Sequence, residues 1–215
     1  VQPWRRTFHE SFSYITFASV HVSPKGVTTG KAEDAWVLFV GGAKTWRPRD
    51  WMVYPWIEAG IDLGTSAYRS EPPAGGEPLL LAGVGGSLGA DVRIAPWNGH
   101  KLNLAAGPLI GGHAHAIPEG YGWDLGGRVR GLWEKKAGEA PLLIGELRVY
   151  HRTDVASEAT YAQLMAGVGL GSVVLHGLYS GRVAASDCPR DAGWGECSLF
   201  SSTWGIGLRT YSDRE

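Results

Sequence analysis

The chain has no run of about 18 consecutive apolar residues, which excludes a membrane-spanning helix. It has no excess of either charge, with Lys+Arg 20 against Asp+Glu 21 and a formal net charge of −1. The basic footprint of a nucleic-acid binder is missing, so DNA and RNA are not expected partners. Cysteine is scarce: Cys188 and Cys197 stand nine apart in a segment rich in Pro, Gly, Asp and Trp. They are expected to form one disulfide pinning a loop over about 184–197, in an oxidising compartment. No charged-then-apolar leader precedes Val1, so a secretory signal is expected to have been removed or never present. No break in composition divides the chain, so one domain spanning 1–215 is expected.

What the chain has instead is glycine, 32 of 215 residues, dispersed through apolar segments and not gathered in linkers. Glycines and prolines interrupt any helical periodicity, and a period of two fits better. Ten strands are expected, at about 9–22, 34–45, 51–68, 78–96, 100–115, 121–134, 141–152, 158–169, 171–183 and 198–211. In the third, Val53, Ile57, Ala59, Ile61 and Leu63 share one face, opposed by Tyr54, Trp56, Glu58, Gly60 and Asp62. The fourth opposes Val84, Leu88, Val92 and Ile94 to Gly83, Gly85, Gly89, Asp91 and Arg93. The fifth to seventh repeat the pattern, while segments 9–22 and 34–45 alternate poorly and leave their register open.

One face is thus hydrocarbon, and the other is glycine, small residues and charges of both signs. A soluble β-sandwich or lipocalin-like barrel would expose the second face to water, where glycine has no special use. A narrow membrane barrel needs small or paired residues inside and apolar residues towards lipid. The expected fold is therefore all-β: a closed antiparallel up-and-down transmembrane β-barrel of about ten strands, with 8–12 admissible. Links after even segments are short and those after odd segments mostly longer, with Ala116 to Gly120 an exception. In bacterial barrels that rhythm puts both termini in the periplasm and the disulfide loop outside. Trp46, Trp51, Trp97 and Trp133 fall at the short turns, with Trp4 on the same side, as an aromatic girdle at headgroup level.

These features resemble the bacterial outer-membrane β-barrels over about residues 9–211. The closing segment Thr203 to Tyr211 is similar to the C-terminal strand by which such proteins are recognised for assembly, though here Ser212 to Glu215 follow it. The resemblance implies a bacterial outer-membrane location, with lipid and lipopolysaccharide as partners and another outer-membrane or periplasmic protein as a further candidate.

The inward face brings together Glu58, Asp62, Asp91, Asp124 and Glu146 with Arg93, Arg128, Arg130, Arg148 and Arg209. Charges in a narrow interior must pair to offset desolvation, so a salt-bridged plug is expected, with a small polar channel as the alternative. His113 and His115, two apart on one strand, are metal candidates with His176 as a third ligand, and hydrogen bonding in the lumen is favoured over a metal. No cofactor is implied. On the opposite face, near the outer end of the seventh strand, lie His151 and Thr153. The stretch from Arg148 to Asp154 resembles the Arg-x-x-His-x-Ser-Asn segment of the lipid A deacylase barrels. That resemblance implies His151 as base, Thr153 where the nucleophilic serine stands, and Glu158 as orienter, in an esterase acting on outer-leaflet lipid. A scaffold or accessory subunit presenting outer loops is the leading expectation.

Overall fold

The computed structural model describes residues 7–22, 33–48, 52–66, 79–96, 102–117, 119–134, 141–154, 158–185 and 200–212. They form ten strands: β1 (Thr7–Val22), β2 (Glu33–Pro48), β3 (Val53–Ser66), β4 (Leu79–Pro96), β5 (Leu102–Ile117), β6 (Glu119–Trp133), β7 (Leu143–Asp154), β8 (Glu158–Leu170), β9 (Val173–Ala185) and β10 (Phe200–Ser212). Each strand pairs antiparallel with its chain neighbours. β1 also pairs with β10, from Ser11↔Ser212 to Val22↔Phe200, so the sheet closes on itself. Strands of 12 to 18 residues exceed the soluble norm and are long enough to cross a roughly 30 Å hydrocarbon layer when tilted. The start of β1 at Thr7 and the end of β10 at Ser212 lie at one rim, here called the terminal end.

Closure decides what each face meets. Ile57, Ile61, Leu63, Val84, Leu88, Val92, Leu125, Leu147, Leu164 and Leu175 are all exposed on the outside. Their neighbours Trp56, Asp91, Arg128, Arg130, Glu146 and His176 are buried in the lumen. The inside is less polar than expected, however. Phe12, Leu132, Ile144, Met165, Val174 and Tyr211 pack into an apolar cluster within it, near the terminal end. Leu132 and Ile144 sit at strand ends, where a two-residue alternation carries the least weight.

The connections also depart from a strict short/long rhythm. β5 and β6 run to Ile117 and Glu119, so their link is one residue, whereas the link from β6 to β7 on the terminal side spans 134–142. The two-residue link of Gly171 and Ser172 between β8 and β9 uses a left-handed residue: Gly171 has φ 68, which a side chain would strain. The cysteines Cys188 and Cys197, and with them the expected disulfide loop, lie outside the described residues.

Glycines inside and outside the wall do different work. A Cβ on inward Gly126 would overlap the Val149 carbonyl and the Tyr150 backbone, whereas one on outward Gly145 meets nothing within 4 Å. Gly126→Val is expected to abolish the folded, faster-migrating band of the unheated, detergent-extracted protein on a gel. Gly145→Ala should keep it, with a gain of roughly 0.5–1 kcal/mol from the lost glycine entropy.

Candidate functional site

The lumen is crossed by a continuous chain of carboxylates and guanidiniums. At the terminal end Arg47 of β2 donates to Glu134, just past β6, at 2.5 Å, and its Nε lies 3.9 Å from Glu10 of β1. Glu10 accepts a two-pronged contact from Arg130, one prong at 3.1 Å. Arg130 Nε is 3.6 Å from Glu146, which also meets Arg148 at 2.6 Å and Arg128 at 3.9 Å. Arg148 continues to Glu58 at 2.5 Å, and Arg128 to Asp91 at 2.5 Å. Trp56 braces the middle: its indole donates to Asp91 at 3.0 Å and its ring lies 3.6 Å beneath the Arg128 guanidinium. Glu10, Asp91, Arg128, Arg130 and Glu146 are all at most 6% exposed.

Such a chain is possible because every member finds a partner. Isolated buried ions are expensive, and bidentate guanidinium–carboxylate geometry returns the most of that cost. Glu146 is the hub, with three guanidiniums converging on its two oxygens.

Of the residues singled out in the sequence, Glu58, Asp91, Arg128, Arg130, Glu146 and Arg148 thus form one network. Asp124 belongs to a separate pair nearer the other rim, where Arg152 grips it with two bonds of 2.8 Å and stands over stacked Tyr150 and Tyr161. Arg209 is buried against the Phe12 ring at 4.5 Å, with no carboxylate within 4 Å among the described residues. Arg93 is half-buried and outside the network. Asp62 lines a cavity of about 270 Å³ between the network and the far rim, together with Glu58, Arg148, Tyr150, Tyr161 and Gln163.

Glu10, Arg47 and Glu134 were missed. Glu10 lies on β1, where apolar residues occupy both faces, Arg47 sits in the expected turn after 34–45, and Glu134 is the last residue of the expected strand 121–134. The signal for Arg47 and Glu134 was inward parity continued to and past the expected strand ends.

The histidines disperse. His113 is buried with Nδ1 3.6 Å from Asp124, and the His115 side chain is outside the described residues. His176 meets the Thr16 hydroxyl at 2.9 Å on the other wall. No group of three metal-ligating side chains occurs among the described residues.

Among the described residues, two polar islands interrupt the outer hydrocarbon. One lies towards the far rim on β7 and β8, where exposed His151 places Nδ1 3.1 Å from the Thr160 hydroxyl. The Thr153 hydroxyl instead donates to the Trp123 carbonyl at 3.2 Å, so the imidazole is matched with Thr160 and not Thr153. Glu158 pairs with Thr153 in the backbone register, and its side chain is outside the described residues. The second island, Ser11, Ser13, Lys44, Thr210 and Ser212, flanks the closure of β1 with β2 and β10.

Exposed Trp133 and half-buried Trp46 lie at the terminal end, whereas Trp51 and Trp97 fall outside the described residues. Further outward aromatics sit in the opposite half. Trp36 stacks on Phe17 at 5.2 Å, Trp204 meets Tyr179 at 4.3 Å, and Tyr121 and Trp123 are each 65% exposed.

Replacing Glu146 by Leu leaves Arg128, Arg130 and Arg148 facing one another without their common anion. A loss of about 3–5 kcal/mol in denaturant unfolding is expected, the range for breaking a buried pair. Arg152→Met, at a partly open pair, should cost less.

No protein-family model matches the sequence, and no curated protein matches it. Solved structures do match in shape. The transport unit of the autotransporter AIDA-I from Escherichia coli superposes with a TM-score of 0.51 at 9% identity, covering 94% of this chain and 90% of that one. The beta domain of the Bordetella autotransporter Brka gives 0.54 at 11% identity, covering 95% and 99%. At such identities the likeness is one of fold: this chain is a closed ten-stranded antiparallel barrel built as the outer-membrane β-barrels are.

Proposed function

We propose that the protein is a sealed outer-membrane barrel, termini towards the periplasm, that serves as a scaffold or accessory subunit presenting the loops of its far rim. The observation that carries this reading is the Glu134–Arg47–Glu10–Arg130–Glu146–Arg148–Glu58 chain. It spans the lumen beside an apolar cluster and occupies the path a solute would take. A pore needs charges that face water, and these are consumed by one another. The partners consistent with it are outer-membrane lipid, lipopolysaccharide and a further protein at the far rim.

Planar-bilayer recording tests it. The wild type is expected to give no discrete conductance steps, and a Glu10→Ala/Arg130→Ala double variant to give small, frequent ones. Regular steps in the wild type would instead establish a channel fed by the 270 Å³ cavity.

A second reading is favoured by one contact, the 3.1 Å approach of the exposed His151 imidazole to the Thr160 hydroxyl on the lipid side. An ester hydrolase of outer-leaflet lipid would use such a pair as base and nucleophile. The scaffold reading expects His151→Ala to leave lipid A acylation unchanged in cells producing the protein. A mass change of one acyl chain that disappears with His151→Ala or Thr160→Val would establish the hydrolase.

A further inference from the structure

The polar island at the closure of the barrel is out of place. Ser13, Lys44, Thr210 and Ser212 are exposed on the outer face and Ser11 is half-buried there. They are cross-strand neighbours: Lys44 stands opposite Ser11, Ser11 opposite Ser212, and Ser13 opposite Thr210. Directly opposed side chains on one face have Cβ atoms about 4.5–5.5 Å apart, so one ammonium and four hydroxyls share a single patch. Gly42, opposite Ser13, adds no side chain and leaves the ammonium room.

Thr210 and Ser212 adjoin the rim, opposite Val173 and beside Ser172, but on its Lys44 side the patch is not simply beyond the hydrocarbon edge. Lys44 is in register with Ile57, four residues into β3, and the outer face of β3 is already apolar and exposed at Val53. The terminal-end rows elsewhere are hydrocarbon too: Val92 and Ile94, Leu102, Trp133, Leu143, Val168 and Leu175. A lysine at such a depth is costly unless its stem reaches an anion at headgroup level. Its ammonium leans in that direction, 5.3 Å over the ring of Trp46, which is nearer the rim.

The donor set defines the anion. The outward positions of β1 from 11 to 17, of β2 from 36 to 46 and of β10 from 202 to 212 hold no carboxylate. The patch therefore offers one positive charge and hydroxyls able to donate. Within the wall of a membrane barrel the anion to hand is a lipid phosphate. We propose that the closure of β1 with β2 and β10 is a binding site for the phosphate of a glycerophospholipid in the leaflet at the terminal end. Lys44 supplies the charge, and Ser11, Ser13, Thr210 and Ser212 supply hydroxyl donors. The headgroup then sits deeper here than around the rest of the barrel. This rests on the outer face meeting lipid, as in the function proposed above.

Native mass spectrometry of the detergent-folded protein tests the site, with phosphatidylglycerol as probe and a diacylglycerol of the same chains as the control lacking phosphate. The wild type is expected to retain phosphatidylglycerol and not diacylglycerol. Lys44→Met should lower retention about fivefold, the worth of one lysine at an anionic surface, and Ser13→Val/Thr210→Val should lower it less. Equal retention of both lipids, or full retention by Lys44→Met, overturns the site. Each variant is first checked for the folded, heat-sensitive band. Its absence in the wild type would overturn the membrane barrel itself, whereas its presence with no lipid preference overturns the site alone.

Discussion

Everything in this barrel depends on the buried carboxylate of Glu146 being surrounded by three guanidiniums within the lumen. Arg148 at 2.6 Å, Arg130 at 3.6 Å and Arg128 at 3.9 Å share the charge of one residue, and each hands its remaining donors to a second acid. Taken alone, each of these ions would be too costly to bury, and the network is stable only as a whole. A ten-stranded wall supplies the enclosure, and the small inward residues supply the room. Gly89, for example, lies against the ring of Trp56, the platform on which Arg128 rests, and any side chain there would displace it.

The same closure produces the outer surface. Because side chains alternate along a strand, a buried arginine or glutamate of β6 and β7 places an apolar neighbour outside: Leu147 between Glu146 and Arg148, and Val129 between Arg128 and Arg130. The apolar outer face and the charge-paired lumen are therefore two faces of one pattern. Where the pattern breaks on the outside, at His151 and Thr160 towards the far rim and at Lys44 with its hydroxyls at the closure, the surroundings differ from plain hydrocarbon.

Much of this was legible in the chain. β3 to β7 separate hydrocarbon from glycine and charge so cleanly that the strands to within about two residues, most of their inward residues and the barrel itself follow from a period of two. β1 was less legible. Phe12 and Tyr14 point inward while Ile15 and Phe17 point outward, so hydrophobicity alone does not tell its faces apart, and Glu10 went unrecognised. The apolar cluster of Leu132, Ile144 and Val174 was hidden for a related reason. An aliphatic residue one step out of phase at a strand end looks like a frayed pattern and not like a core. The pairing of His151 with Thr160 instead of Thr153 is a cross-strand contact that one strand's spacing cannot express.

What the sequence determined by itself was local: strand, face and the sign of each inward charge, because side-chain direction alternates within a few residues regardless of what lies across the barrel. Tertiary structure decided which charges meet. Glu10 and Arg130 are 120 residues apart and Glu58 and Arg148 are 90 apart. They touch only because ten strands close with one particular stagger, which sets the height of each residue in the lumen. That stagger belongs to the closed ring, from the β1–β10 register onward, and no single strand contains it.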